Sequence, residues 1–173
     1  MSDDRSGERA RTHPGLPDVD LVDTLIQLSF VVQTILNRIG ESYDLSPTQV
    51  RLLGILRDRK PEMKALASYL ELDKSSVSGL VARAEKRRLV SRGGDSEDGR
   101  TVRVSLTPRG RQVTSQLEER LAADLATLLS PLDAGARRQL SAILGRIMNG
   151  GLGRELQERS GLNAVRLSPR SSR

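Results

Sequence analysis

The sequence predicts a mainly α-helical chain with one small β-hairpin, and three observations predict it. Apolar residues recur every three or four positions through most of the stretch from Asp18 to Asn149. Only one run, "TVRVSL" at 101–106, alternates strictly. The helical stretches open on capping residues with proline behind them, as in "SPTQ" at 46–49 and "TPRG" at 107–110.

The elements follow in order. Residues 1–17 are polar and carry Pro14, Gly15 and Pro17, so a flexible arm is expected. From 18 to 43, Leu21, Leu25, Leu28, Val32, Ile35, Ile39 and Tyr43 form a helical stripe. Val22, Ile26, Val31 and Leu36 widen it, so this helix needs cover on more than one side. Ser46 and Pro47 start a second helix, with Val50, Leu53 and Leu56 facing inward. It ends before Pro61. A short helix follows in "EMKALASYLEL", and Asp73 caps the next, whose stripe is Val77, Leu80, Val81 and Ala84. The hairpin then places Val102, Val104 and Leu106 on one side and Thr101, Arg103 and Ser105 on the other. Thr107 and Pro108 open a long helix with Val113, Leu117, Leu121, Leu125 and Leu128 on one face. A last helix spans about 133–149 and stops at the glycine pair 150–151. Residues 152–159 can add a helical turn or two, and "SPRSSR" reads as a loose basic tail.

Composition excludes several functions. The chain has 173 residues and no cysteine, which rules out a disulfide, a thiolate metal site and a cysteine redox sensor. The single histidine, His13, lies in the expected arm, so neither a zinc site nor histidine-based acid–base catalysis is expected. No nucleophile–base pair and no phosphate loop is present, so no enzyme, cofactor or metal is expected. No apolar run approaches the ~18 residues of a membrane span, and the N-terminus lacks an apolar signal core; a cytoplasmic protein without membrane contact is expected. Net charge is +6 with a pI near 10.4, which favours a polyanionic partner. Phe30, Tyr43 and Tyr69 are the only aromatics. Single strands are bound by stacking on aromatic rings, so duplex DNA is the better partner.

The stretch Leu66–Leu80 suits two short helices at a sharp angle. Leu66, Leu70 and Leu72 bury the first helix and the turn, Val77 and Leu80 bury the second, and small Ala67 sits at the closest approach. This is the helix-turn-helix pattern, in which the second helix enters the major groove. An ordinary helical hairpin shares it. Three features favour a DNA-reading element. The outward face of the second helix carries Lys74, Ser75, Ser76, Ser78, Gly79, Arg83 and Lys86, small hydroxyls and cations suited to phosphates or base edges. From Arg83 to Arg111 nine bases face four acids, a local excess of +5. The hairpin follows directly and adds Arg103, with Arg100 at its Gly-rich tip placed for a minor groove. Asp95 and Asp98 beside that tip are assigned to holding arginines in place.

"LDKSSVSGLVARAEKRRLVSRGGDSEDGRTVRVSLTPRGRQV" resembles the core of the MarR family of bacterial transcriptional regulators. The helix run Asp73–Leu89, the D-x-x-D-x-R wing (Asp95, Asp98, Arg100) and "LTPRG" all match the family pattern. The resemblance implies a winged helix-turn-helix fold over 18–150. The helix-turn-helix then lies at about 63–87, the wing at 89–107 and dimerisation helices from both termini at 18–43, 107–129 and 133–149, leaving 151–173 as a C-terminal tail. It further implies a homodimer on a pseudo-palindromic double-stranded DNA operator, and commonly a repressor released by a small aromatic or phenolic effector. The apolar excess of the terminal helices independently favours a dimer, with intramolecular packing as the alternative. Three positions depart from the pattern. Arg88 replaces a glycine that supports a left-handed helix end, Gly79 replaces a larger reading side chain, and Gly99 replaces a second wing arginine. A winged-helix protein-interaction module without operator binding remains the competing reading.

Overall fold

The computed structural model describes residues 19–94 and 102–161. The described elements are α1 (Val19–Glu41), α2 (Pro47–Asp58), α3 (Met63–Leu70), α4 (Lys74–Lys86), β1 (Val90–Gly94), β2 (Val102–Leu106), α5 (Pro108–Leu128), α6 (Ala134–Asn149) and α7 (Gly151–Ser160). This is a winged helix-turn-helix. Contacts divide the chain into two units, Met1–Thr34 and Ile35–Arg173.

In the first unit, the α1 residues up to Thr34 leave Val19, Leu21, Leu25, Ile26, Leu28, Phe30 and Val31 exposed. By length and composition alone α1 could cross a membrane: its best 18 residues have mean hydropathy 1.5. The expectation that no stretch approaches a span is corrected to that extent. The average hides the interruptions, because Asp20, Asp23, Thr24, Gln27, Ser29, Gln33 and Thr34 break the apolar residues into short groups.

In the second unit the core is made by α2, α3, α4 and the hairpin. Leu52, Leu53 and Ile55 of α2, Leu66 of α3, Val77 and Val81 of α4 and Val104 of β2 are all but inaccessible. The inward face of α2 is wider than its spacing suggests, since Leu52 and Ile55 join Leu53 and Leu56 while Val50 is only half-buried. Leu72 in the turn is likewise half-buried. Alternation holds in β2 for Val104 and Leu106, but Val102 is exposed because it lies beyond the edge of the core.

Three helices end in the same way, and none uses glycine. Asp44, Glu71 and Arg88 have φ of 54°, 55° and 58°. At each end two backbone N–H groups turn back on the last turn: Leu72 to Ala67 O and Glu71 to Ser68 O after α3, Leu89 to Ala84 O and Arg88 to Glu85 O after α4. These are paired 6→1 and 5→2 closures around a left-handed residue. Arg88 therefore occupies the strained conformation in which glycine would be at ease.

The start of α5 is welded to that same point. Thr107 N–H donates to Leu89 O at 3.1 Å, Thr107 Oγ1 donates to Arg88 O at 2.6 Å, and Thr107 Oγ1 accepts from Gly110 N at 2.9 Å. A Cβ on Gly110 would overlap the Leu89 carbonyl oxygen and stand 2.8 Å from its carbon. Glycine in "LTPRG" is thus a packing requirement.

The hairpin pairs β1 with β2 in antiparallel register, Val90 opposite Leu106 and Arg92 opposite Val104. Beyond α5, α6 has Asp133 as its cap and no buried residue. Residues 151–160, expected as part of a tail, form α7, longer than the turn or two foreseen. Its terminal Gly161 (φ 65°) presses on Tyr69 of α3, where a Cβ would stand 2.5 Å from the ring carbon Cγ.

Candidate nucleic-acid interface

The first turn of α4 is organised by Asp73. Its Oδ1 accepts from Ser75 N (2.8 Å), Ser76 N (2.9 Å) and Ser75 Oγ (2.5 Å), and its Oδ2 accepts from Ser76 Oγ (2.6 Å). Hydrogen bonds from Ser75 and then Ser76 hold this carboxyl well below the ordinary carboxylate range. An ionised carboxylate only accepts, so each serine has its one hydroxyl proton engaged by Asp73. Ser75 and Ser76 consequently present lone pairs outward. They cannot donate to another group while that bonding holds.

The rest of the outward face is as the spacing indicated. Lys74, Ser78, Ala82, Arg83 and Lys86 are exposed, with Val77, Leu80, Val81 and Ala84 buried opposite. Gly79 does not offer bare backbone. Arg83 Nη1 would stand 3.4 Å from a Cβ at Gly79, so its guanidinium lies over the glycine. Ser75, Ser76, Gly79 and Arg83 meet Ser46 and Thr48 of α2 in an open cleft of about 380 Å³. Lys74, Ser78 and Lys86 share the helix but do not line that cleft. Arg103 is exposed on β2, whose edge touches the α2–α3 loop through a Glu62–Arg103 bridge. Asp95, Asp98 and Arg100 lie outside the described residues.

Sequence reasoning missed two parts of this surface. Ser46 and Thr48 come to it from the start of α2, a proximity no local pattern encodes. Arg92 was counted only as charge, yet Arg92 Nη2 donates to Ser78 O at 3.1 Å and its Nε pairs with Glu85 Oε2 at 3.3 Å.

A model of the MarR family matches residues 43–101, a stretch that begins in the α1–α2 turn and includes α2, α3, α4 and β1. MgrA of Staphylococcus aureus, an HTH-type transcriptional regulator, is 29% identical over 114 residues, covering 65% of this chain and 76% of that protein. Over these residues the chain is similar to the MarR family. Two solved structures share this fold. Rv2887 of Mycobacterium tuberculosis in complex with salicylic acid has a TM-score of 0.61 at 21% identity, over 75% of this chain and 97% of that one. A variant of MepR of Staphylococcus aureus bound to an oligodeoxyribonucleotide has a TM-score of 0.57 at 21% identity, over 74% and 95%.

Proposed function

We propose that this chain is a homodimeric MarR-family repressor that binds a pseudo-palindromic duplex operator in the cytoplasm and is released by a small aromatic or phenolic acid. It is a binding protein and not an enzyme. One observation carries the reading. Helix α4 is cored on one side, and its other side offers Lys74, Ser75, Ser76, Ser78, Arg83 and Lys86 to solvent beside the root of a hairpin. A helix of this kind fits the major groove, where base edges are distinguishable. The oligonucleotide on the MepR variant supports the same use of the fold.

The dimer is supported by apolar faces left exposed on each unit. Ile143, Leu144, Ile147 and Met148 of α6 are exposed, and so are Leu21, Leu25 and Leu28 of α1. A two-fold contact would cover such faces and give an operator whose half-sites mirror each other. The effector reading is supported by a cleft of about 420 Å³ lined by Arg38, Ile39, Ser42, Tyr43, Arg120 and Asp124. Arg38 pairs with Asp124 at 3.0 Å and Arg120 with the same carboxylate at 3.4 Å. A ligand carboxylate could take the place of Asp124 between these guanidiniums. Salicylic acid on Rv2887 has that chemistry.

The test is a gel shift with duplex DNA flanking the protein's own coding region, in excess non-specific competitor. Specific binding should weaken steeply with salt, by roughly 10³-fold or more between 50 and 200 mM if six or more phosphates are contacted. A salt-insensitive association, or none beyond that with competitor DNA, would favour the protein-interaction reading instead.

A further inference from the structure

The two-stranded hairpin has two outer edges, and each is occupied by a neighbouring element. On the β2 side, Val104 N–H donates to Pro61 O at 3.0 Å. On the β1 side, Arg92 N–H donates to Glu85 Oε1 of α4 at 3.1 Å. Arg92 and Val104 face each other in the ladder, so their N–H groups both point away from the sheet and need partners there. Glu85 does more than fill an edge. Its other oxygen pairs with the guanidinium of the same Arg92, whose Nη2 runs on to Ser78 O. Ser78 and Glu85 are seven residues apart, about 10 Å along the helix. The Arg92 guanidinium therefore bridges the Glu85 carboxylate, which leans back along the helix, and the Ser78 carbonyl.

We propose that Glu85 and Arg92 are positioning residues for duplex binding: together they fix the wing at a set angle to α4, so that helix and hairpin meet the DNA as one rigid unit. This rests on the DNA-binding reading above. Neither residue need touch DNA. Two linked contacts reinforce each other only when their separation matches the target, and a loose hairpin lowers the effective concentration of the second contact. The clamp also gives Glu85 a reason to sit on a basic face. Its charge is matched by Arg92, so it does not repel phosphate as a lone carboxylate would.

Simple electrostatics and the clamp predict opposite signs, and this makes the proposal testable. Removing an acid beside a phosphate-binding surface should tighten binding on charge grounds alone. The clamp predicts that Glu85→Ala weakens specific binding, by roughly three- to tenfold. The experiment measures affinity for one specific duplex against salt, for wild type, Glu85→Ala, Glu85→Gln, Arg92→Ala and the double Ala variant. Glu85→Gln keeps an acceptor for Arg92 N–H and should retain most of the affinity. Arg92→Ala should leave the salt slope unchanged, whereas loss of a phosphate contact would lower it by about one unit. The double variant should bind no worse than the weaker single one, because the pair acts as a unit. Both side chains are about a third exposed, so the folded state should survive each change. Tighter binding by Glu85→Ala, or a reduced slope for Arg92→Ala, overturns the positioning role while leaving DNA binding intact. Absence of salt-dependent duplex binding by the wild type overturns the DNA-binding reading and this proposal with it.

Discussion

Gly110→Ala sets two well-understood effects against each other. Gly110 lies in the first turn of α5, and alanine is the better helix former by ~1 kcal/mol. Propensity alone therefore predicts a more stable protein. The surroundings predict the reverse. The new Cβ would overlap the Leu89 carbonyl oxygen, stand 2.8 Å from its carbon and 3.3 Å from Leu106 Cδ2. The obstacle is backbone, which cannot rotate aside. To make room, α5 must draw back from Leu89, and that stretches the bonds from Thr107 N (3.1 Å) and Thr107 Oγ1 (3.2 Å) to the same carbonyl. Overpacking costs ~1–3 kcal/mol, and each weakened hydrogen bond adds ~0.5–1.5 kcal/mol. Set against the propensity gain, the net loss is about 1–5 kcal/mol, or roughly 2–20 °C in Tm for a chain of this size. Urea and thermal melts at matched protein concentration measure it, with an unchanged m-value as the check that the same surface unfolds. An alanine variant as stable as wild type would refute the reasoning and show that the weld between α5 and Leu89 is slack.

Two further outcomes follow from the helix ends. Arg88→Gly should raise stability, because relieving a left-handed L-residue recovers ~1–2 kcal/mol while the freer unfolded glycine returns ~0.4–1 kcal/mol of it; the expected gain is a Tm higher by a few degrees, and a lower Tm would mean that the Arg88 side chain makes a contact of greater worth. If Ser75 and Ser76 present only lone pairs, replacing an amino-bearing operator base (cytosine or adenine) with an analogue lacking that amino group should weaken wild-type binding at one half-site position and leave Ser76→Ala indifferent there; equal losses in both proteins, or none at any position, would refute the acceptor assignment.

The fold was largely legible because its elements announce themselves locally. Serine and threonine caps with prolines behind them, and an aspartate cap without one, are decided by residues within one turn, and α2, α5 and α4 start where those residues stand. Burial was legible where the stripe is deep, as at Val77, Val81 and Leu66, and less so at edges such as Val102, where period cannot say how far the core extends. Helix ends were less legible still. Glycine is the usual left-handed terminator, yet Asp44, Glu71 and Arg88 all adopt that conformation because the paired backbone bonds after each helix hold them there. For α7, the two glycines at 150–151 read correctly as the end of α6. They could not reveal that the chain restarts at once, or that its end packs on Tyr69, some ninety residues away in sequence.

Charge was the signal most easily overread. Nine bases against four acids between Arg83 and Arg111 pointed to a basic DNA-facing stretch, but position in the fold gives several of the bases structural partners. Arg87 donates to the carbonyls of Tyr43 and Asp44 and so ties the end of α4 to the α1–α2 turn. Arg111 donates to Leu106 O at 2.9 Å and fixes the start of α5 to β2. Arg92 is held by Glu85 and Ser78. These three guanidiniums join α4 to the α1–α2 turn and to the hairpin, and the hairpin to α5, so their charge is held in fixed places within the frame. The same residues that supply part of the charge are those that fix how the remaining cations are presented. Affinity and geometry are therefore coupled in this basic stretch: neutralising Arg87 or Arg111 would disturb the shape of the surface before it changed the field around it.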